Sequence, residues 1–384
     1  MAQQSDNHLL SASSREFCTF LLLLTLCCAG RLRGQEKPSS GGSWRFAVSG
    51  DSRNCGDIVM PAIAQGVRRD GAEFYWHLGD YRATYKIDED YHQIHPNATL
   101  DDYNNDEWND FIKHQLQAFG DLPVFLEIGN HEMISPKDRS QYLIQFGKWF
   151  DTPVLHRQRL ADNPNGQLLE TYYHWIDRGV DFIGMDNSSS DQFDEQQMNW
   201  FKKVLRSAAS NNAVRTVVLG MHAALPDSLS TGHSMNDSAT EESSGREVYA
   251  QLLAFQRQTR KNVYVLASHS HFVMNNVYAI ACRPKDEVLT GWIIGSAGAV
   301  RYRLPQERSA ATIAQTDVYG YLLATVAPNG AITFEFKEVK KPDVPPQTID
   351  EFSQKQVDFC FDQNKQDYTP VGAACGTGAK PGGK

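Results

Sequence analysis

Five short polar motifs follow apolar runs in this chain, and their residue types are those that bind divalent metal ions. Carboxylate, amide oxygen and imidazole donors together suit Zn, Mn, Fe, Ni or Co. No cysteine belongs to the set, which argues against a structural thiolate zinc site. The motifs are Gly50-Asp51, Gly79-Asp80, Gly129-Asn130-His131-Glu132, Gly220-Met221-His222 and Ser268-His269-Ser270-His271. The predicted metal ligands are Asp51, Asp80, Asn130, His222, His269 and His271.

Six donors are more than one tetrahedral ion needs. A carboxylate that bridges two ions about 3.5–4 Å apart would use the whole set. Such an ion pair generates hydroxide at neutral pH and holds the oxygens of an in-line displacement at phosphorus. The donor set therefore predicts two divalent metal ions and hydrolysis of a phosphomonoester or phosphodiester by a metal-activated hydroxide.

The elements that would carry these motifs alternate between strands and helices. Ligands in open α/β sheets bind beyond the carboxyl ends of the strands, where a glycine permits a sharp turn. The alternation, followed by hairpins that include an Asn329-Gly330 turn, predicts a layered α/β fold with mixed sheets. Predicted strands cover 44–50, 73–78, 123–128, 171–176, 180–185, 215–219, 263–267, 272–280, 289–295, 319–327 and 331–339. Predicted helices cover 58–69, 108–119, 140–150, 195–207 and 247–259. Predicted specificity loops cover 81–105, 151–166 and 225–245.

The five motifs in this order resemble the calcineurin-like metallophosphoesterase superfamily. The resemblance covers about Trp44 to Val339, and the strand that ends at Asp186 and the helix around Trp200 extend it. It implies a four-layer α/β/β/α sandwich with two mixed sheets, and the activity of a phosphoric ester hydrolase. It also implies two ion positions that share Asp80. The first position takes Asp51, Asp80 and His271, and the second takes Asp80, Asn130, His222 and His269.

Two further residues of the third motif gain roles from the resemblance. His131 is the implied catalytic residue, beside the phosphoryl group, as leaving-group acid or transition-state stabiliser. Glu132 is an implied carboxylate behind the ligands that orients this strand end.

The first ion position departs from the family pattern. Many members have Asp-x-His at the first motif, whereas this chain has Arg53 in place of the histidine. The purple acid phosphatase branch places a tyrosine three residues after the second aspartate, and Ala83 stands there instead. The first position therefore lacks a ligand, for which Asn54, a water or another side chain are candidates, and a single-metal enzyme is an alternative. Arg53 itself is predicted to contact substrate phosphate through its guanidinium, with a salt bridge to Asp57 as the alternative.

The N-terminal sequence predicts that the protein is exported. The apolar run Phe17 to Ala29 is too short for a membrane span of about 20 residues and is typical of a signal peptide over 1–29. An uncleaved N-terminal anchor is the alternative.

A linker is predicted over 30–43, the metallophosphoesterase domain over 44–340, and an extended or disordered tail over 341–384. A Cys360–Cys375 disulfide is predicted, with free thiols as the alternative.

The charge balance narrows the class of partner. The chain has 37 Lys and Arg against 46 Asp and Glu, for a net charge of −9. Nucleic-acid affinity rests on cationic side chains that neutralise phosphates, so no nucleic-acid surface is predicted and a phosphate ester is the expected partner. The alternative function is a catalytically weak extracellular phosphate-binding or scaffold protein with a degraded first metal site. Histidines outside the motifs, His233 among them, are predicted at the surface, although His233 follows His222 closely enough to approach substrate.

Overall fold

The computed structural model describes residues 42–166, 168–188, 193–236, 238–306, 308 and 311–365. The strands are β1 (Trp44–Ser49), β2 (Tyr75–His77), β3 (Val124–Leu126), β4 (Tyr173–Asp177), β5 (Val180–Met185), β6 (Thr216–Met221), β7 (Asn262–Ala267), β8 (Val273–Asn275), β9 (Thr290–Ile294), β10 (Ala314–Gln315), β11 (Tyr319–Val326) and β12 (Ile332–Val339). The α-helices are α1 (Gly56–Arg69), α2 (Glu89–Ile94), α3 (Leu100–Asp110), α4 (Arg139–Phe150), α5 (Pro153–Asp162), α6 (Glu195–Ser210), α7 (Ala239–Thr259), α8 (Pro346–Phe352) and α9 (Gln354–Asp358).

Two mixed sheets form the centre of the fold. The first has five strands in the order β12-β11-β1-β2-β3, and the second has seven in the order β10-β8-β9-β7-β6-β5-β4. Strands β1, β2 and β3 run parallel, as do β5, β6, β7 and β9. The motif-bearing strands of each sheet therefore end at the same edge.

Three apolar layers hold the sheets and helices together. Aromatic side chains fill the space between the sheets: Phe46 of β1 and Phe182 of β5 meet edge to face at 5.1 Å. A second layer packs α6 and α7 on the outer face of the seven-stranded sheet through residues such as Phe201 and Leu252. A third packs α1 and α4 on the five-stranded sheet through residues such as Ile63. The predicted four-layer sandwich is confirmed.

Some polar segments that were predicted as loops are helices. Helices α2 and α3 lie within or overlap 81–105, α5 lies within 151–166, and α7 begins at Ala239 rather than 247. These segments carry little apolar periodicity, but α3 and α7 begin at side-chain caps. The Thr99 side chain accepts from the Asp102 N–H at the start of α3, and Ser238 does the same for Glu241 in α7. Caps therefore specify these helix starts where periodicity does not. The predicted strand 272–280 is shortened to β8.

The segment after residue 340 is folded as far as residue 365, contrary to the predicted extended tail. Helices α8 and α9 bury Phe352 and Val357 against the layer that contains α1. The Arg301 guanidinium donates to the backbone carbonyl of Cys360 at 3.0 Å. Cys360 forms its disulfide with Cys55, so the predicted pairing with Cys375 is wrong. The apolar side chains of this otherwise polar segment were the missed signal.

Two further expectations concern residues that the structure does not describe. The predicted signal peptide over 1–29 and most of the linker lie outside the described residues, as do 366–384. Within the described ranges, no helix combines the length and the apolar character that crossing a bilayer requires.

Candidate metal centre

The five motifs converge where the strand ends of the two sheets meet. The backbone N–H of Gly50, after β1, donates to the Ile294 carbonyl of β9 at 3.0 Å and so joins the sheets. The Ser268 N–H, after β7, donates to the His222 carbonyl, after β6, at 2.8 Å. Because the sheets touch here, side chains from five strand ends share one small space. All six predicted ligands belong to it.

Four donors form the first of two groups, which we call the complete group: Asp80, Asn130, His222 and His269. His222 Nε2 lies 3.2 Å from Asp80 Oδ1, 3.0 Å from Asn130 Oδ1 and 3.0 Å from His269 Nδ1. Metal–ligand distances of about 2.0–2.2 Å place adjacent ligands about 3.0–3.5 Å apart. His222 Nδ1 donates to the Leu78 carbonyl at 2.8 Å, which turns Nε2 toward the group. The donor atoms thus have the spacing of ligands around one ion.

Three donors form the second group, which we call the partial group: Asp51, Asp80 and His271. Asp51 Oδ1 lies 3.2 Å from His271 Nε2. Asp51 Oδ2 accepts the His269 N–H at 2.7 Å, and His271 Nδ1 donates to the Val300 carbonyl at 2.6 Å. Asp80 belongs to both groups, as expected of a bridging carboxylate.

Two carboxylate oxygens at the centre of the site accept no hydrogen bond. Asp51 Oδ1 and Asp80 Oδ2 are both buried without a hydrogen-bond partner. Leaving a buried charged acceptor unsatisfied costs several kcal/mol unless another group compensates it. A cation held between these oxygens would supply that compensation.

The backbone at the site adopts conformations that non-glycine residues rarely adopt. Asp51, Asp80 and His269 have φ of 59°, 60° and 63°. Left-handed conformations of this kind cost about 1–3 kcal/mol each and cluster at functional sites. Glycine is required at position 79, directly before Asp80, because a Cβ there would lie 2.6 Å from the Gly129 backbone nitrogen. The sequence accepts local strain in order to aim these side chains.

The neighbours of the two central carboxylates keep them ionised. Burial alone would raise the pKa of Asp51, but the neighbouring His271 outweighs it and the pKa falls to about 2. The pKa of Asp80 is held well below its usual value by His131 and His222, again against the effect of burial. Burial lowers the pKa of His222, yet the Asp80 carboxylate raises it to about 9. Both carboxylates therefore stay anionic and attract positive charge.

His131 stands beside the shared carboxylate. Its Nδ1 donates to the Ala83 carbonyl at 2.7 Å, and its Nε2 lies 3.6 Å from Asp80 Oδ2. Burial and, to a smaller extent, the Arg53 charge lower the pKa of His131 to about 4, against the pull of Asp80. The free imidazole is therefore neutral near pH 7, with an unprotonated Nε2 directed to the site.

Glu132 supports the ligands from behind. Its carboxylate accepts the backbone N–H groups of Asp80 at 2.9 Å, Tyr81 at 2.8 Å and Gly129 at 2.7 Å. One buried side chain thereby ties the second and third strand ends together. Its placement behind the ligands agrees with its predicted position.

Arg53 lies inside the site rather than at its rim. Its side chain contacts His271, Tyr302 and Tyr85, and its Nε lies 4.0 Å from Asp80 Oδ2. The alternative salt bridge to Asp57 is wrong, because Asp57 instead accepts from Arg82 at 2.6 Å.

Asn54 does not fill the ligand gap of the partial group. Its amide oxygen accepts the Val300 N–H at 3.1 Å, and its amide nitrogen donates to Glu89 at 2.9 Å. Tyr81 and Ala83 do not fill the gap either: the Tyr81 hydroxyl donates to the Glu127 carbonyl at 2.6 Å, and Ala83 has no donor side chain. The partial group therefore keeps three ligand side chains.

Two aromatic residues of the site were missed or underrated from the sequence. His233 lies 5.2 Å from the His269 ring and stacks on Tyr302 at 5.0 Å between ring centroids. Tyr302 in turn stacks on His271 at 3.9 Å. The position of His233 in the loop after His222 was the available signal, whereas Tyr302 belongs to no motif.

Comparisons with known proteins identify the family and the fold. The sequence matches the family model described as calcineurin-like phosphoesterase over residues 45–272. The structure of the purple acid phosphatase PPD1 from yellow lupin (Lupinus luteus) seeds matches with a TM-score of 0.52 and 14% identity, over 78% of this chain and 52% of that chain. A structure of PhoD matches with a TM-score of 0.47 and 13% identity, over 82% of this chain and 77% of that chain. No curated protein matches the sequence. The chain spans about half the length of the lupin protein, and identities this low show the fold alone.

Proposed function

The chain belongs to the calcineurin-like phosphoesterase family, and on that premise we propose that it is a metal-dependent hydrolase of phosphomonoesters or phosphodiesters. One observation carries the proposal. An oxygen of the buried Asp80 carboxylate, the Asn130 amide oxygen and His269 Nδ1 lie 3.0–3.2 Å from His222 Nε2, at the meeting edge of two sheets. This donor set fits the divalent ions Mn, Zn, Fe, Ni and Co.

The complete group is the proposed principal ion site. Asp80, Asn130, His222 and His269 offer one carboxylate, one amide oxygen and two imidazoles, which fits one divalent ion. The partial group offers Asp51, Asp80 and His271 to a second ion, as the sequence predicts. A bound divalent ion neutralises charge on phosphoryl oxygens and lowers the pKa of water.

His131 and Arg53 are the proposed substrate-facing residues. Arg53 can donate to two phosphoryl oxygens at once, because its guanidinium is planar and permanently charged. His131 must gain a proton at Nε2 before it can donate to a leaving group. A phosphate dianion bound beside it would favour that proton electrostatically. The Ala83 carbonyl holds the ring in the orientation that directs Nε2 to the substrate.

We also propose that the protein works outside the cytoplasm. The apolar run at 17–29 is typical of an exported chain. The Cys55–Cys360 disulfide supports this, since disulfides persist mainly in oxidising compartments.

A hydrolysis assay with a panel of metals tests the proposed activity. The purified protein, stripped with a chelator, is incubated with nitrophenyl phosphate and bis-nitrophenyl phosphate after addition of Mn, Zn, Ni or Co. We expect turnover that depends on metal and is lost in Asp80→Ala and His131→Ala. A folded protein with no turnover under any metal would contradict hydrolysis and favour a phosphate-binding protein. The Glu195→Gln variant, exposed at the start of α6, is the matched control and should keep full activity.

A further inference from the structure

The contacts of Arg53 place a fixed positive charge at the partial group. The side chain is only 7% exposed, which is unusual for an arginine. Its Nη2 lies 3.2 Å from His271 Nε2 and donates to the Tyr302 hydroxyl at 3.3 Å. Its Nη1 donates to the Tyr85 hydroxyl at 3.5 Å. These contacts hold the guanidinium in place before any ligand arrives.

The lone pair that His271 would give to a metal ion is directed at Arg53. His271 Nδ1 lies 2.6 Å from the Val300 carbonyl, and a carbonyl can only accept, so Nδ1 carries the proton. In the neutral ring, Nε2 then holds the lone pair. A guanidinium has only donors, so the 3.2 Å contact is an Arg53 N–H donated to that lone pair. The arginine uses the coordinating atom of His271.

The position of Arg53 in the sequence shows which residue of the family pattern the arginine replaces. Arg53 stands where the family pattern has the histidine of Asp-x-His, which would ligate the same ion as Asp51 and His271. A guanidinium cannot replace that histidine as a ligand, because it has no lone pair to donate and stays protonated. It brings a positive charge to the place of a neutral donor. A divalent ion at the partial group would lose a ligand and gain a repelling neighbour.

The complete group does not share this problem. Its other three donors lie 3.0–3.2 Å from His222 Nε2, and the contacts of Arg53 go to His271, Tyr302, Tyr85 and Oδ2 of Asp80. The Asp80 oxygen that faces the complete group is Oδ1, whereas Arg53 is nearest to Oδ2. One oxygen of the Asp80 carboxylate thus faces the complete group, and the other faces the guanidinium.

We propose that the guanidinium of Arg53 takes the place of the first metal ion, so that the chain binds one divalent ion, at Asp80, Asn130, His222 and His269. The inference rests on the proposed function and changes its predicted metal count from two to one. The expected ligand is a phosphate group held between the ion and the guanidinium. Arg53 then supplies, for phosphate binding, the positive charge that a second ion would supply in a two-metal site.

Metal stoichiometry tests this inference directly. The full-length protein, stripped with a chelator, is titrated with Mn2+ alone by isothermal calorimetry, and bound metal is counted by elemental analysis after desalting. We expect one Mn2+ per chain in the wild type. Arg53→His restores the Asp-x-His pattern and should bind two. Arg53→Lys keeps a positive charge and should stay at one. Arg206→His, exposed on α6, controls for adventitious binding by an added histidine and should also stay at one.

Electron paramagnetic resonance of the Mn2+-loaded proteins supplies a second readout that is independent of activity. One ion per chain should give the resolved hyperfine pattern of an isolated Mn2+, and Arg53→His should give the broadened spectrum of a coupled pair. Two ions in the wild type would overturn this inference and leave the proposed function intact. A folded Arg53→His that still binds one ion would also overturn it. If the wild type binds no ion, both the inference and the proposed function fail. The wild-type count decides the question even if Arg53→His fails to fold.

Discussion

Two buried clusters in this protein collect carboxylates and imidazoles, and they differ in how their charge is balanced. The metal centre is the first. The second surrounds Arg82, whose fully buried side chain lies within 4.0 Å of four carboxyl groups. Those groups are Asp57, Asp88, Asp90 and Asp110. Donor atoms of Asp57, Asp110 and His114 lie as close together as those of the metal centre.

The pKa values of most of the carboxyl groups differ between the two clusters. In the Arg82 cluster, burial raises the pKa of Asp57 to about 7 and also raises those of Asp88 and Asp90, whereas Arg82 and His114 outweigh burial at Asp110 and lower its pKa to about 2. At the metal centre, the pKa of Asp51 falls to about 2 and that of Asp80 falls well below its usual value. The Arg82 cluster is thus neutralised by its own arginine and by protons. The metal centre keeps its negative charge for an added cation, which shows that donor spacing alone does not define a metal site.

Removing Arg82 should destabilise the protein, because the Arg82 cluster is the structural one of the two. Arg82→Met leaves several buried carboxyl groups without their cation, which costs about 3–5 kcal/mol of unfolding free energy. Urea unfolding followed by tryptophan fluorescence measures it. The matched control, Arg206→Met on the exposed face of α6, should change the free energy by less than about 0.5 kcal/mol. Equal effects of the two variants would contradict a structural role for the Arg82 cluster.

Removing the shared carboxylate should break the functional side. Asp80→Asn withdraws the charge that both donor groups use, and an ion contributes several kcal/mol to the transition state. At 1.36 kcal/mol for each tenfold change, activity should fall by about a thousandfold or more. Steady-state assays with excess Mn2+ measure the loss, and cooperative urea unfolding of the variant shows that it remains folded. A variant with more than a tenth of wild-type activity would count against Asp80 as a metal ligand.

A third cluster extends the comparison to a buried imidazole that lies between two carboxylates. His174 lies 2.7 Å from both Asp162 and Asp181. Burial alone would lower its pKa, but the two carboxylates raise it to about 9. Because the folded pKa exceeds the ordinary value of about 6.5, the stabilisation is full below pH 6.5 and is lost as the pH rises through 9. At pH 6 the unfolding free energy of the wild type should exceed that of His174→Gln by on the order of 2 kcal/mol. Urea unfolding at several pH values should show that difference shrinking by pH 9, and a constant difference would contradict the protonated state.

The smallest expected effect concerns the support behind the ligands. Glu132→Gln replaces one of two oxygens that accept N–H groups with an amide that donates, and so disturbs the strand ends carrying Asp80 and Gly129. Loss of such outer partners weakens metal affinity by about 10–100-fold. Calorimetric titration with Mn2+ measures it, with Glu195→Gln as the control. Unchanged affinity would show that Glu132 does not position the ligands.

The ligand motifs were predictable because each one is local. A glycine or serine followed by a polar donor after an apolar strand identifies a strand end, and the α/β alternation then brings the strand ends together. The resemblance built on these motifs is confirmed by the family match. The two mixed sheets and the hairpin at Asn329-Gly330 were predictable for the same reason.

Contacts between distant or non-periodic segments were not predictable. Cys55 and Cys360 are 305 residues apart, and four cysteines allow several pairings that sequence cannot rank. The environment of Arg53 depends on Tyr302, which lies in no motif and stacks on His271 only in the folded chain. Helix α5 was missed although Pro153 stands in its first turn, because its apolar residues are few. Long-range packing decided the disulfide and the environment of Arg53.

A crystal structure of the Mn2+-soaked protein, with anomalous data collected at the manganese edge, tests the central claim most directly. We predict an anomalous peak about 2.0–2.3 Å from donor atoms of Asp80, Asn130, His222 and His269. The cluster of Asp57, Asp110 and His114 should show no peak, because Arg82 and protons already balance its charge. A peak at that cluster, or none among the four predicted ligands, would contradict the account.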